Sequence, residues 1–392
     1  MSEALSDAKA KSPKYALNRA MLGELIELLS KEGHQLIGPQ REDGTIVLNP
    51  ITSLEDLPVG LEDEQDSGRY RLKSIAPDDA RADSLFQTTV GPQSWRRYLF
   101  PPRQTLWKAR RNGAGWEIDA DAEATPKYAF IGVRSCDLTA IAVQARVYDN
   151  GDYTDPGFTA RLGAAFIIAV NCTRAADTCF CASMDAGPAA REGYDIALTE
   201  LAAPGGEVWF VAEAGSRRGA DLLEAVGAGP AGAELVAAGE AAVAATARAM
   251  TRGIPADAAA LLQRNPEHPH WADIAARCLG CANCTMVCPT CFCSTMEDVT
   301  SLDGQEAARL RHWDSCFSLD YSYIHGGPVR RDVKSRCRQW MTHKLSSWHE
   351  QFGTSGCTGC GRCITWCPVG IDITEEIAAF AKYQTTEIRE EA

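Results

Sequence analysis

Residues 278–289 read CLGCANCTMVCP, and residues 357–368 read CTGCGRCITWCP. Each is C-x2-C-x2-C-x3-C followed by Pro, the run that holds cubane clusters in bacterial ferredoxins. Two complete copies do not arise by chance. Thiolates also suit zinc, but zinc modules space their C-x2-4-C pairs by roughly a dozen residues or more. The runs therefore predict two [4Fe–4S] clusters. In two-cluster ferredoxins the fourth Cys of each run ligates the other cluster. Cluster one should then take Cys278, Cys281, Cys284 and Cys367, and cluster two Cys357, Cys360, Cys363 and Cys288. Gly280, Gly359 and Gly361 lie where backbone amides must approach the cluster sulfurs.

The rest of the chain bounds the setting. It has 392 residues, 45% of them hydrophobic, and a net charge of −13. That charge argues against a nucleic-acid partner, which needs clustered Lys and Arg. The longest apolar stretch is Ala164–Val170, far short of the ~20 residues of a membrane span. The N-terminal segment MSEALSDAKAKSPKYALNR has no apolar signal core, so a cytoplasmic location is expected. There disulfides are disfavoured, and the 16 cysteines read as metal or redox groups. Four lie between Cys136 and Cys181, eight between Cys278 and Cys337, and four between Cys357 and Cys367.

Upstream, the expected fold is an α/β domain over residues 16–264, after a frayed segment 1–15. A helical dicluster module of bacterial-ferredoxin type follows over 265–392. Leu17, Met21, Leu22, Leu25, Ile26 and Leu29 recur at helical spacing over 17–31, and Asp43-Gly44 between apolar runs predicts a hairpin. YAFIGV, RSCDLTAIAVQARVY and AAFIIAV read as strand, helix and strand of a βαβ unit. Cys136 and Cys172 each fall just past a strand, at the sheet edge where ligands bind in open α/β folds. Residues 202–262 hold a strand at Val208–Val211 and a long helix, and NPEHPHW (265–271) reads as a linker.

Cys136, Cys172, Cys179 and Cys181 supply enough thiolates for a third [4Fe–4S] cluster; the alternative is a core thiol plus a reactive C-F-C pair. Cys291, Cys293, Cys316 and Cys337 have no assigned role, and read either as spare thiols or as a further metal site. The basic stretch Arg330, Arg331, Lys334, Arg336, Arg338, His343 and Lys344 reads as a solvated helix face, a docking face, or a source of positive potential that favours reduced clusters. Gly227–Gly232 matches G-x-G-x-x-G but lacks the strand–helix–strand context of a dinucleotide site, so no flavin is expected on this chain.

The ordered motifs GVRSCDLTAI, NCTRAADTCFC, CLGCANCTMVCPTCFC, WDSC and CTGCGRCITWCPVGID resemble the electron-transfer β subunits of cytosolic, NAD(P)-linked [NiFe] hydrogenases of the sulfhydrogenase type. The A subunit of anaerobic sulfite reductase belongs to the same family. The resemblance covers residues 17 to about 375 and implies a subunit of an oxidoreductase complex with no catalytic site of its own. Its implied partners are a flavin subunit that handles NAD(P)H and the hydrogenase small and large subunits. The alternatives are the equivalent subunit of a siroheme sulfite reductase and, less well matched in size, a free-standing dicluster ferredoxin.

Overall fold

The computed structural model describes residues 13–119, 125–203 and 206–390. An eight-stranded mixed sheet organises the N-terminal region. Its order is Gly229–Pro230, Lys14–Asn18, Val208–Ala214, Ile196–Ala202, Phe166–Val170, Tyr128–Arg134, Gln35–Glu42 and Thr45–Pro50. The middle strands are parallel: Tyr128–Arg134 pairs with both Phe166–Val170 and Gln35–Glu42, and Phe166–Val170 with Ile196–Ala202. Strands covered on both faces read as continuous apolar runs, and FIIAV is buried at every position. Within it Phe166, Ile168 and Val170 join the core that holds Leu22, Leu25 and Leu29 of the helix Arg19–Lys31. Ile167 and Ala169 face the opposite core, with Leu138 and Ile141 of the helix Ser135–Tyr148. This period-2 division is why the sequence runs apolar without interruption here.

The βαβ reading holds in its elements, and so does the hairpin. Asp43 (φ 46) and Gly44 (φ 75) close the turn between Gln35–Glu42 and Thr45–Pro50 in the left-handed conformation that a two-residue turn requires. The first helix starts later than its periodicity implied. Leu17 lies in the strand Lys14–Asn18, and Asn18 caps the helix by accepting from Met21 N at 3.0 Å. The frayed segment expected at 1–15 falls largely outside the described residues, and Lys14 and Tyr15 are paired in that strand.

The C-terminal half is more than helical. The hairpin Ser294–Thr300 and Glu306–Trp313 joins Arg103–Asn112 and Gly115–Asp119 in a four-stranded sheet. Segments on both sides of residue 265 therefore share one hydrogen-bonded sheet. They also share a core, in which Leu261 and Leu262 pack with Trp271, Ile274, Met341 and Phe380. Trp271, read in the sequence as linker, is fully buried and donates Nε1 to Asn265 O at 2.8 Å. A linker-like Pro and His composition hid a core anchor.

Candidate metal centres

The Cys278–Cys288 run leaves the helix His270–Arg277 and turns at Gly280 (φ +65) and Ala282 (φ +68). The tight turn aims Gly280 N at Cys278 Sγ, 3.3 Å away. The second run repeats it: Gly359 (φ +65) and Gly361 (φ +76) form the turn, and Gly359 N donates to Cys357 Sγ at 3.4 Å. Ile371 N reaches Cys367 Sγ at 3.3 Å. Amide-to-sulfur hydrogen bonds of this kind set the potential of a bound cluster.

Cys278, Cys281, Cys284 and Cys367 line one cavity, with Ile274 and Phe317 among its apolar walls. The charges acting on Cys284 are those of Cys278, Cys367, Cys281 and Cys288. Those acting on Cys363 are Cys357, Cys360, Cys288 and Cys284. The two runs are thus gathered in space, and Cys363 lines the same cavity as Cys278, Cys281, Cys284 and Cys367, beside Cys284. Cys337 also lines the first cavity and hydrogen-bonds Cys278.

The N-terminal thiols converge as well. Cys179 and Cys181 each feel Cys172, and Cys136 feels Cys181. All of Cys136, Cys179 and Cys181 feel Cys360. Cys136 sits in the first turn after Tyr128–Arg134, and Cys172 two residues past Phe166–Val170, so the parallel pairing of those strands supplies the approach. Burial pushes the Cys179 and Cys357 thiols up to about 12, and Cys136, Cys284 and Cys363 well above the ordinary thiol range. Such crowded thiols hold their protons until a metal displaces them. Among the described residues, no three His, Cys, Asp or Glu side chains converge as a single metal ion needs. Thiols arrayed around a cavity suit a polynuclear cluster, whose ligands sit further apart.

The second run is clamped onto the N-terminal region. Phe180 N donates to Gly359 O at 2.9 Å, Gly68 N to Ile364 O at 3.1 Å, and Thr365 Oγ1 to Gln65 Oε1 at 2.8 Å. A Cβ on Gly361 would lie 2.4 Å from Thr178 O, at a backbone φ of +76. Gly361→Ala is therefore expected to destabilise the protein by roughly 1–3 kcal/mol from the backbone conformation alone. Denaturant titration of the cluster-loaded chain measures this; an unchanged midpoint would show that the run does not need this close approach.

Residues 277–371 match the 4Fe-4S dicluster domain family. The chain is also 30% identical over 315 residues to the sulfhydrogenase 2 β subunit of Pyrococcus furiosus, an alignment that spans 77% of this chain and 86% of that one. The chain belongs to the sulfhydrogenase β-subunit family. It is an iron–sulfur electron-transfer subunit with a sheet-rich N-terminal region and a C-terminal 4Fe-4S dicluster domain. Among its described residues, no helix is long and apolar enough to cross a membrane. In this family member the sequence motifs located the thiols but missed the groups that surround them. Arg362, Lys344 and Arg96 are buried against the cysteine runs. None carries a local signal, because a Lys or Arg in sequence reads as surface. The Gly227–Gly232 match lies between the helices Arg217–Ala225 and Ala233–Ala249, and Gly229–Pro230 forms a short edge strand on Lys14–Asn18.

Proposed function

We propose that the chain relays single electrons between a flavin subunit that exchanges hydride with NAD(P) and the small and large subunits of a cytosolic [NiFe] hydrogenase. Cys278, Cys281, Cys284 and Cys367 hold one [4Fe–4S] cluster, and Cys357, Cys360, Cys363 and Cys288 a second. Cys136, Cys172, Cys179 and Cys181 hold a third. The observation that carries this reading is the adjacency of the three thiol sets: Cys284 neighbours Cys363, and Cys360 neighbours the N-terminal group. A bound [4Fe–4S] cluster supplies a one-electron couple whose potential follows local charge, hydrogen bonding and exposure. The chain's own residues fix the order of the sites and bury thiols such as Cys136, Cys181, Cys288 and Cys360. They also present Gly280, Gly359 and Ile371 amides to the sulfurs. At the mouth of the Cys278 cavity Leu279 is 66% exposed beside the exposed Cys281, an apolar rim suited to a partner subunit.

The purified chain alone is expected to show no hydrogen uptake and no NADPH oxidation, because electrons need an entry and an exit partner. Anaerobic affinity purification from the source cell, with metal and flavin analysis of what co-elutes, tests the assignment. Co-eluting flavin and nickel support it. Siroheme in place of nickel would move the chain to a sulfite reductase, and stoichiometric FAD on the isolated chain would overturn the division of labour.

A further inference from the structure

Cys291, Cys293 and Cys316 belong to neither cysteine run, yet they line one small cavity with Trp340, His343 and Lys344. A hairpin assembles it. Ser294 pairs with Trp313 across the strands, and Asp314 N donates to Cys293 O at 2.8 Å, so Cys316 returns beside Cys293. Trp340 and Lys344 reach the cavity from a helix that passes into a π-helical segment, His343–Ser347. Segments of that kind recur at functional sites.

The charges around this cavity are unusual. Lys344 is only 6% exposed. Its Nζ lies 3.1 Å from Cys288 Sγ, 3.6 Å from Cys291 Sγ, and 3.1 Å from both Thr290 Oγ1 and Gly356 O. Arg96 is 4% exposed; it donates to Met286 O at 2.9 Å and to Cys291 O, and stacks on Trp313 at 3.5 Å. Among the described residues neither cation has a carboxylate within ion-pair reach, and Arg96 Nε has no hydrogen-bond partner. A buried ion without a counter-charge costs several kcal/mol, so two of them packed against Cys291 call for anions. The cluster set that includes Cys288 offers one to Lys344. Arg96 lies beside Cys291, Cys288 and Cys293.

We propose that Cys291, Cys293 and Cys316 hold a further iron–sulfur cluster with three protein thiolates, of the [3Fe–4S] or open-site [4Fe–4S] class, with Lys344 and Arg96 as its buried counter-charges. Among the described residues no fourth thiol lines the cavity; Cys337 faces the other one, beside Cys278. The site adjoins the second cluster on the Cys288 side, whereas the N-terminal thiols adjoin it through Cys360. The electron path would therefore branch at the second cluster.

The proposal rests on the chain being an iron–sulfur protein, and one experiment separates the two claims. The full chain is reconstituted anaerobically with iron and sulfide, and its iron, zinc and EPR signals are recorded. Cys293→Ser and Cys316→Ser should each lose one cluster's worth of iron while the signals of the two dicluster sets persist. Lys344→Met should keep its iron but lower the reduction equilibrium constant of a neighbouring cluster at least tenfold, 59 mV for one electron. Unchanged iron in both cysteine variants, zinc at the site, or a Cys293–Cys316 disulfide in the reconstituted protein would overturn the proposal. If the variants do not fold, iron-edge anomalous diffraction from wild-type crystals decides it: a peak between the three sulfurs supports the site, and its absence refutes it. A wild-type chain that takes up no iron at all would instead overturn the electron-transfer reading.

Discussion

Cys278→Ala and Cys367→Ala are expected to delete the same cluster, although the two residues open one cysteine run and close the other. Both line one cavity, together with Cys281, Cys284 and Cys363. Removing either leaves this set one short of the four thiolates that hold a bacterial-ferredoxin cubane. Iron per chain should fall by one cluster in each variant, and the same EPR signal should vanish from both. The signal of the Cys357 set should survive, because in the crossed assignment its fourth thiol is Cys288, which lies beside Cys363. If the two substitutions erased different signals, each run would close on itself and the crossed assignment would be wrong. Cys288→Ala gives the reciprocal check, pairing with Cys360→Ala.

Arg362→Met should destabilise the folded protein by about 3–5 kcal/mol, the range for breaking a buried ion pair by removing one partner. Arg362 is 2% exposed, and its two terminal nitrogens grip both oxygens of buried Asp137 at 2.8 and 2.9 Å. Its Nε donates to Gly91 O at 3.0 Å and to Gln93 O at 3.2 Å. One side chain thus ties the second cysteine run to the helix that carries Cys136 and to the loop before the fold's inner strands. The cost comes from Asp137, left charged and unpaired. Replacing both partners with apolar residues should recover much of the loss, since paired removal leaves no orphan charge. Denaturant titrations of Arg362→Met and of Arg362→Met/Asp137→Leu test this. A single-variant loss inside the roughly 0.5 kcal/mol scatter of ordinary surface changes would show that the contact does not hold the two regions together.

What the sequence revealed was local. The cysteine runs are legible because three thiols within seven residues, and the Pro after the fourth, encode a turn and a ligand set in one stretch. The Asp43-Gly44 hairpin and the strands around Phe130 and Ile168 are legible because backbone preference and apolar continuity act over a few residues. What stayed hidden depends on distant pairing. Arg103–Asn112 and Glu306–Trp313 are polar in composition although they form the two inner strands of their sheet, and nothing in either segment announces the other. Lys344 read as part of a basic helix face, but its +4 spacing from Trp340 and to Trp348 turns it into the thiol cavity instead. Charge patterning says how many cations a helix carries, and only packing says which one is buried.

The most direct measurement is hydrogen-driven NAD(P) reduction in the reassembled complex, made once with the iron-loaded chain and once with the same chain stripped of iron. An electron relay predicts that the loaded chain supports turnover and that its visible cluster absorbance bleaches when hydrogen is admitted. It also predicts that the stripped chain, still bound to its partners, gives no reduction of flavin or NAD(P). Equal turnover with the stripped chain would mean that electrons bypass this subunit, and would contradict its role as the connection between the two partners.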